Sequence, residues 1–189
     1  MDALSLLIAD HNRVRGLFAR FESAEESGET AQMAELAPRI IDELEVHATI
    51  EEEIFYPEVG EASEEIREVV AEGIEEHHVV RQLADEVKGL SPEDEAWAAK
   101  MKVMIENVEH HAEEEETELF PQVRRALGAE ALRDMADRME ARKAELGAPT
   151  VADKEHLSTD ELKELAKEQE IPGRSSMDRD ELVATVGLS

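Results

Sequence analysis

The sequence predicts an all-α protein: an up-down-up-down four-helix bundle with an additional helix and a small helical C-terminal module. Three observations carry this. Apolar residues recur at helical spacing through four long stretches joined by short connections. No stretch shows the two-residue alternation of a half-buried strand. The chain also contains a duplication: His47-Ala48-Thr49-Ile50-Glu51 through Phe55-Tyr56-Pro57 reappears as His111-Ala112-Glu113-Glu114-Glu115 through Leu119-Phe120-Pro121, and the stretch around Asp10-His11 reappears around Glu76-His77.

The first helix is expected over Ala3–Ala24, with Leu4, Leu7, His11, Val14, Phe18 and Phe21 on one stripe. A loop containing Ser27 and Gly28 leads to a second helix over Ala31–Tyr56, striped by Met33, Leu36, Ile40, Leu44, His47, Glu51 and Ile54 and ended or kinked by Pro57. Ser63 is placed to cap a third helix reaching Lys88, with His77 on its apolar stripe. Ser91-Pro92-Glu93-Asp94 reads as the start of a fourth: a cap, a first-turn proline and acids against the dipole. That helix runs to Leu127 through Trp97, Met101, Met104, Val108, His111, Glu115 and Leu119, with Pro121 interrupting it late. Residues 1–127 thus form the bundle and 128–147 an additional amphipathic helix; 148–155 are a linker, and 156–189 a small module opened by a Ser158–Glu161 capping box.

The chain has 189 residues and a net charge of −28, with 48 acidic against 20 basic residues. Such a surface repels phosphate backbones and anionic membranes, so neither nucleic acid nor membrane is an expected partner. Cysteine is absent, which excludes disulfides, thiolate metal sites and cysteine nucleophiles. The apolar run Leu4–Ala9 has no basic flank and is cut short by Asp10 and His11, so no leader is read there and a cytoplasmic location is expected.

The duplication concentrates on six residues. His47 and Glu51 stand one helical turn apart, as do His111 and Glu115, while His11 and His77 sit singly on their own helices. All six lie on apolar stripes. Two carboxylates in a dry core repel each other unless cations compensate them. Four imidazoles and two carboxylates make a ligand set for a pair of metal ions, and iron, manganese and zinc all accept it. The doublets His77-His78 and His110-His111 resolve by face: His78 shares one with Arg67 and Arg81, His110 with Asn107 and Glu114, so His77 and His111 face inward and His78 and His110 are expected to be solvated or to stand outside the ligand set. His156 belongs to the tail surface. A ferritin-type Glu-x-x-His pattern does not fit, because Leu44 and Val108 stand three residues before His47 and His111.

The pattern His…His-x-x-x-Glu…His…His-x-x-x-Glu resembles the hemerythrin-like, or HHE cation-binding, family over the bundle. The resemblance implies a non-haem di-iron centre: His11, His47, His77 and His111 as terminal ligands, Glu51 and Glu115 as bridges, and an oxo or hydroxo bridge from solvent. Tyr56 and Arg81 are candidate outer residues. Invertebrate oxygen carriers of the family place a further histidine where this chain has Arg81, and an aspartate five residues after the last histidine, where this chain has Glu116. Those departures shift the expectation from reversible oxygen carriage to turnover of a small oxidant. The concrete form is catalase-like disproportionation of peroxide in oxidative-stress defence; the alternative is a non-catalytic module that binds or senses iron, oxygen or nitric oxide. The stretches Leu157–Ala166 and Ile171–Met177 resemble the N-terminal helical domain of transcription terminator Rho. The module's acidic residues outnumber its basic ones, so a protein partner is expected for it rather than RNA.

Overall fold

The protein is described by a computed structural model over residues 1–149, 154 and 157–187. Helix α1 spans Ala3–Glu26, α2 Thr30–Ile50, α3 Tyr56–Val59, α4 Glu64–Lys88, α5 Glu95–Glu114, α6 Phe120–Ala126 and α7 Ala129–Glu145. In the C-terminal part, α8 spans Thr159–Glu168 and α9 Arg179–Thr185. No strand occurs among the described residues. None of their helices is long and apolar enough to cross a membrane. His156 and most of the expected linker lie outside the described residues.

Local signals account for most boundaries. The Asp2 carboxylate accepts the Ser5 N–H at 2.9 Å and the Ser63 hydroxyl accepts the Ile66 N–H at 3.1 Å, each satisfying a first-turn donor. Capping boxes open α8 at Ser158–Glu161 and α9 at Asp178–Glu181. The fourth long helix starts later than its sequence suggests: Asp94 precedes its first residue. The Ser91 hydroxyl is taken by Glu93, so it caps nothing.

The larger correction concerns the second and fourth long helices, each expected to run unbroken to its proline region. Glu51–Phe55 and Glu115–Leu119 are π-helical turns joining α2 to α3 and α5 to α6. Proline explains both. Pro57 and Pro121 have no N–H to donate, and their rings crowd the carbonyl four residues back. Widening the preceding turn relieves the crowding, and the N–H of Tyr56 bonds the Glu51 carbonyl instead. The wider turn also re-aims the side chains beyond it. A straight α-helix would carry Tyr56 about 140° round the axis from Glu51; the π turn brings it back to the interior, where it is buried, while Ile54 is left half-buried.

Two apolar clusters fill the bundle. One joins Phe18 and Phe21 of α1, Leu36 and Ile40 of α2, Val87 of α4, and Trp97 and Met101 of α5. The other joins Leu4 and Leu7 of α1, Phe55, Val59, Ile66, Phe120 and Val123, and is covered by Leu132, Met135 and Met139 of α7. His11, His47, Glu51, His77, His111 and Glu115 form the polar band between them.

The C-terminal part has its own small core of Leu162, Ala166, Ile171, Leu182, Val183 and Val186, and it lies against α1. Gly16 permits that contact: a Cβ there would stand 2.4 Å from the Gln169 carbonyl oxygen and 3.0 Å from Ile171 Cδ1. Arg13 Nη1 donates to the Ala184 carbonyl, and the buried Lys154 donates to those of Ala184 and Val186 at 3.1 and 3.0 Å. Burial, reinforced by Arg13 and Lys143, pulls Lys154 down to about 7. Gly16→Val is therefore expected to release α8 and α9 from α1 while the bundle stays helical. Limited proteolysis and amide exchange would show loss of protection confined to residues 157–187, and unchanged protection there would refute this account of the contact.

Candidate metal centre

The α2 and α5 helices each carry a histidine at the last full α-turn and a glutamate at the first residue of the π turn. His11 and His77 come from the middle of α1 and α4. All six side chains are buried, Glu51 to 0 % exposure. His11 Nε2 and His47 Nε2 face each other at 3.1 Å, and His77 Nε2 and His111 Nε2 at 3.2 Å. Glu51 lies between the two pairs, with Oε1 at 3.2 Å from His47 Nε2 and Oε2 at 3.3 Å from His77 Nε2. Glu115 Oε2 is 3.3 Å from His11 Nε2 and 3.8 Å from His111 Nε2. Ligand atoms thus gather into two groups that could each hold an ion: His11, His47, Glu51 and Glu115, and Glu51, His77 and His111.

The unsatisfied atoms say what fits there. Both oxygens of Glu51 and Oε2 of Glu115 are buried without a hydrogen-bond partner. Buried carboxylate oxygens left so are costly. Imidazole lone pairs and carboxylates converging on two points form a donor set for two cations.

Three of the four histidines are held from behind by a hydrogen bond to an acid, the arrangement that fixes the tautomer and ring orientation of a metal ligand, while His47 Nδ1 has no such bond. His11 Nδ1 donates to Glu116 at 2.8 Å, His77 Nδ1 to Glu52 at 2.8 Å and His111 Nδ1 to Glu76 at 2.7 Å. Arg15 and Arg81 in turn hold Glu116 and Glu52, at 2.8 and 2.7 Å. Behind His47 stands Asp10, with Oδ2 at 3.7 Å from Nδ1. The Asp10 carboxylate is buried between Lys143 Nζ at 2.6 Å and Arg13 Nη2 at 2.7 Å. Burial alone would raise its pKa, but those two cations hold it well below the usual carboxylate range. Burial likewise opposes charge on the histidines, yet Glu51 and Asp10 raise His47 to about 10, and Glu115 and Glu76 raise His111 to about 9.

The two halves are not equivalent. Tyr56 Oη donates to Glu115 Oε1 at 2.9 Å and lies 3.4 Å from His111 Nε2. Burial, with Glu115 and Glu51 adding to it, keeps this phenol protonated. Its repeat counterpart is Phe120, which stacks on His11 with centroids 6.0 Å apart. The helix facing each ring differs to match. A Cβ on Gly73 would sit 3.0 Å from Tyr56 Oη, and the corresponding position in α1 is Leu7.

Of the residues singled out in the sequence, His11, His47, Glu51, His77, His111 and Glu115 come together at one site. Tyr56 touches Glu115, and Arg81 acts one step further out, on Glu52. His78 and His110 are exposed, beside Glu75 and Glu114. Sequence reasoning missed Asp10, Glu52, Glu76 and Glu116 as supporting acids. Their signal was present: an acid precedes each single histidine, and a second acid follows each candidate glutamate, in both copies.

The fold and this geometry define a class, the cation-binding helical bundle with its ligands on facing helices. Residues 2–123 match the Hemerythrin HHE cation binding domain, and the chain belongs to that family. A crystal structure of an HHE cation-binding domain-containing protein from Mycobacterium kansasii, an Rv2633c homolog, superposes with a TM-score of 0.65 over 98% of this chain and 99% of that one; at 19% identity it speaks for the fold alone. A DNA nickase from Nostoc sp. (strain PCC 7120) is 26% identical over 151 residues, 77% of this chain. The chain spans 40% of that relative's length. The relative's description runs against the expectation, drawn from net charge, that nucleic acid is no partner.

Proposed function

We propose that the protein holds two iron ions among the six buried residues and disproportionates hydrogen peroxide, as a cytoplasmic defence against oxidative stress. The observation that supports this most is Glu51, wholly buried between two histidine pairs with neither oxygen in a hydrogen bond. In this reading His11, His47 and Glu115 would hold one ion and His77 and His111 the other, with Glu51 within reach of both. Iron in such a site supplies two-electron redox capacity and Lewis acidity; manganese or zinc would fit the same donors.

The chain's own residues supply the rest. One peroxide loses two electrons and two protons and leaves as oxygen; the other takes them up, its O–O bond breaks, and two waters form. Tyr56 holds a proton on Oη next to Glu115 and His111, where a bound peroxide oxygen would need one. Glu52 and Glu116, fixed by Arg81 and Arg15, keep His77 and His11 aimed inward. Apolar clusters flank the site on either side.

Mass spectrometry of protein purified without an affinity tag is expected to find two irons per chain, and few in the Glu51→Ala, Glu115→Ala double variant. Oxygen evolution from hydrogen peroxide should be sustained and should vanish in His47→Ala. No iron after anaerobic reconstitution would overturn the reading. A second reading, a sensor of oxygen or nitric oxide, is favoured by one contact: Arg13 links Asp10, the acid behind His47, to the Ala184 carbonyl at the end of α9. Iron without oxygen evolution, and with ligand-dependent exchange protection in α8 and α9, would select it.

A further inference from the structure

A cavity of ≈ 300 Å³ opens on the histidine side of the site, away from Glu51 and Glu115, and all four buried histidines line it. Above them its walls are Val14, Leu44, Val80 and Val108, two repeat-equivalent pairs. Dioxygen or hydrogen peroxide, each with two oxygen atoms, needs no more room than about two waters, whose share of liquid volume is about 30 Å³ each. An apolar cavity of about 150 Å³ is enough to hold a benzene ring. This chamber therefore has space for an organic body of roughly ten non-hydrogen atoms. Close-packed interiors hold few spaces of this size. Its mouth carries Glu45 and Asp85 against Arg81 and Lys88, and the whole chain is strongly acidic, so an anionic ligand is disfavoured and a neutral one is not.

We infer that the chamber is a binding site for a neutral organic hydroperoxide, its apolar body between Val14, Leu44, Val80 and Val108 and its peroxide group at the histidines. The inference rests on the peroxide chemistry proposed above and names a second substrate class for it. The reaction is balanced by hydrogen peroxide as the reductant. The O–O bond of the organic hydroperoxide breaks, and with two electrons and two protons it yields the alcohol and water. Hydrogen peroxide gives up those electrons and protons and leaves as oxygen.

The test separates binding from turnover. Calorimetry would follow 2-phenyl-2-propanol, the unreactive alcohol of cumene hydroperoxide, on the full chain both iron-loaded and after chelation. Saturable binding of one molecule per chain is expected in both forms. It should weaken at least tenfold in Val80→Phe and in Val108→Phe, each checked for parent helicity and metal content. Loaded protein should convert cumene hydroperoxide to the alcohol when hydrogen peroxide is present, with oxygen released equal to half the sum of hydrogen peroxide consumed and alcohol formed, since disproportionation runs alongside. Absence of alcohol binding in the parent, or binding unmoved by the filling variants, overturns the inference even if both iron and catalase-like activity are found. Should a variant fail to fold, the parent still decides through size: a hydroperoxide with an eighteen-carbon body, too large for the chamber, must turn over far more slowly than cumene hydroperoxide, and equal rates overturn the assignment. A chain without iron that binds the alcohol would sink the di-iron reading and leave the cavity assignment standing.

Discussion

Replacing Glu51 with glutamine is expected to abolish retention of both metal ions, weakening each by more than the ~10–100-fold typical of losing an outer partner. Glu51 is the residue whose two oxygens reach both histidine pairs, at 3.2 and 3.3 Å. Glutamine keeps the volume and removes the charge, so loss of metal would report the carboxylate and not the packing. The same substitution should change the pH response of the metal-free protein. There, despite burial, Glu51 and Asp10 raise His47 to about 10, and Glu115 and Glu76 raise His111 to about 9. A histidine whose folded pKa is raised contributes stability that is full below its unfolded value of about 6.5 and is lost as pH climbs through the folded value. The metal-free parent should accordingly lose stability between about pH 6.5 and 10, and the glutamine variant should lose less over that window, since its His47 no longer faces a charged Glu51. Histidines that bind metal must be neutral, so metal uptake by the parent at pH 7 should release protons. Metal content after dialysis, denaturant unfolding across the pH series and proton release in weak buffer check the three parts. A glutamine variant that retains two ions would remove Glu51 from the ligand set.

Asp10→Ala is expected to destabilise the metal-free protein by about 3–5 kcal/mol, because it leaves Lys143 and Arg13 buried without their shared anion. Glu76→Ala, at the equivalent position of the second repeat, should cost under about 1 kcal/mol, since Glu76 is half-buried and the one cation it faces, His111, keeps Glu115 beside it. Its effect should appear in metal affinity instead, through the orientation of His111, on the order of 10–100-fold. Urea unfolding of both variants, stripped of metal, separates the two cases. Equal losses would mean that the Lys143–Asp10–Arg13 cluster contributes no more than a surface pair. The contrast has a structural origin. The equivalent of Arg13 in α4 is Val79, 47% exposed, because α7 and the C-terminal helices cover α1 and leave that face of α4 to solvent.

Much of the centre was legible in the chain itself. His47 with Glu51, and His111 with Glu115, are related by one turn of one helix, and their faces follow from the 3.6-residue period alone. The same period separates His77 from His78 and His111 from His110, whose exposures differ as their neighbours predict. The duplication raised these spacings above coincidence in a chain so rich in glutamate. The π turns were less legible: Pro57 and Pro121 announced a disturbance, but a missing N–H can end, kink or widen a helix, and the packing of Tyr56 and Phe120 around the site goes with the third outcome.

Periodicity, repetition and caps within a few residues were enough to predict the helical class and to single out the six residues that meet in the core; the family entered through the resemblance of their motif and is shown by the match over residues 2–123. Three things needed the packed chain: which acid stands behind each histidine, that Glu51 spans both pairs while Tyr56 engages Glu115, and that Lys143 reaches Asp10 across 133 residues of chain. Such contacts join helices distant in sequence, and their partners are fixed by where α7 and the C-terminal helices pack. No local period encodes that placement; burial of their apolar faces against α1 and the adjoining bundle core does.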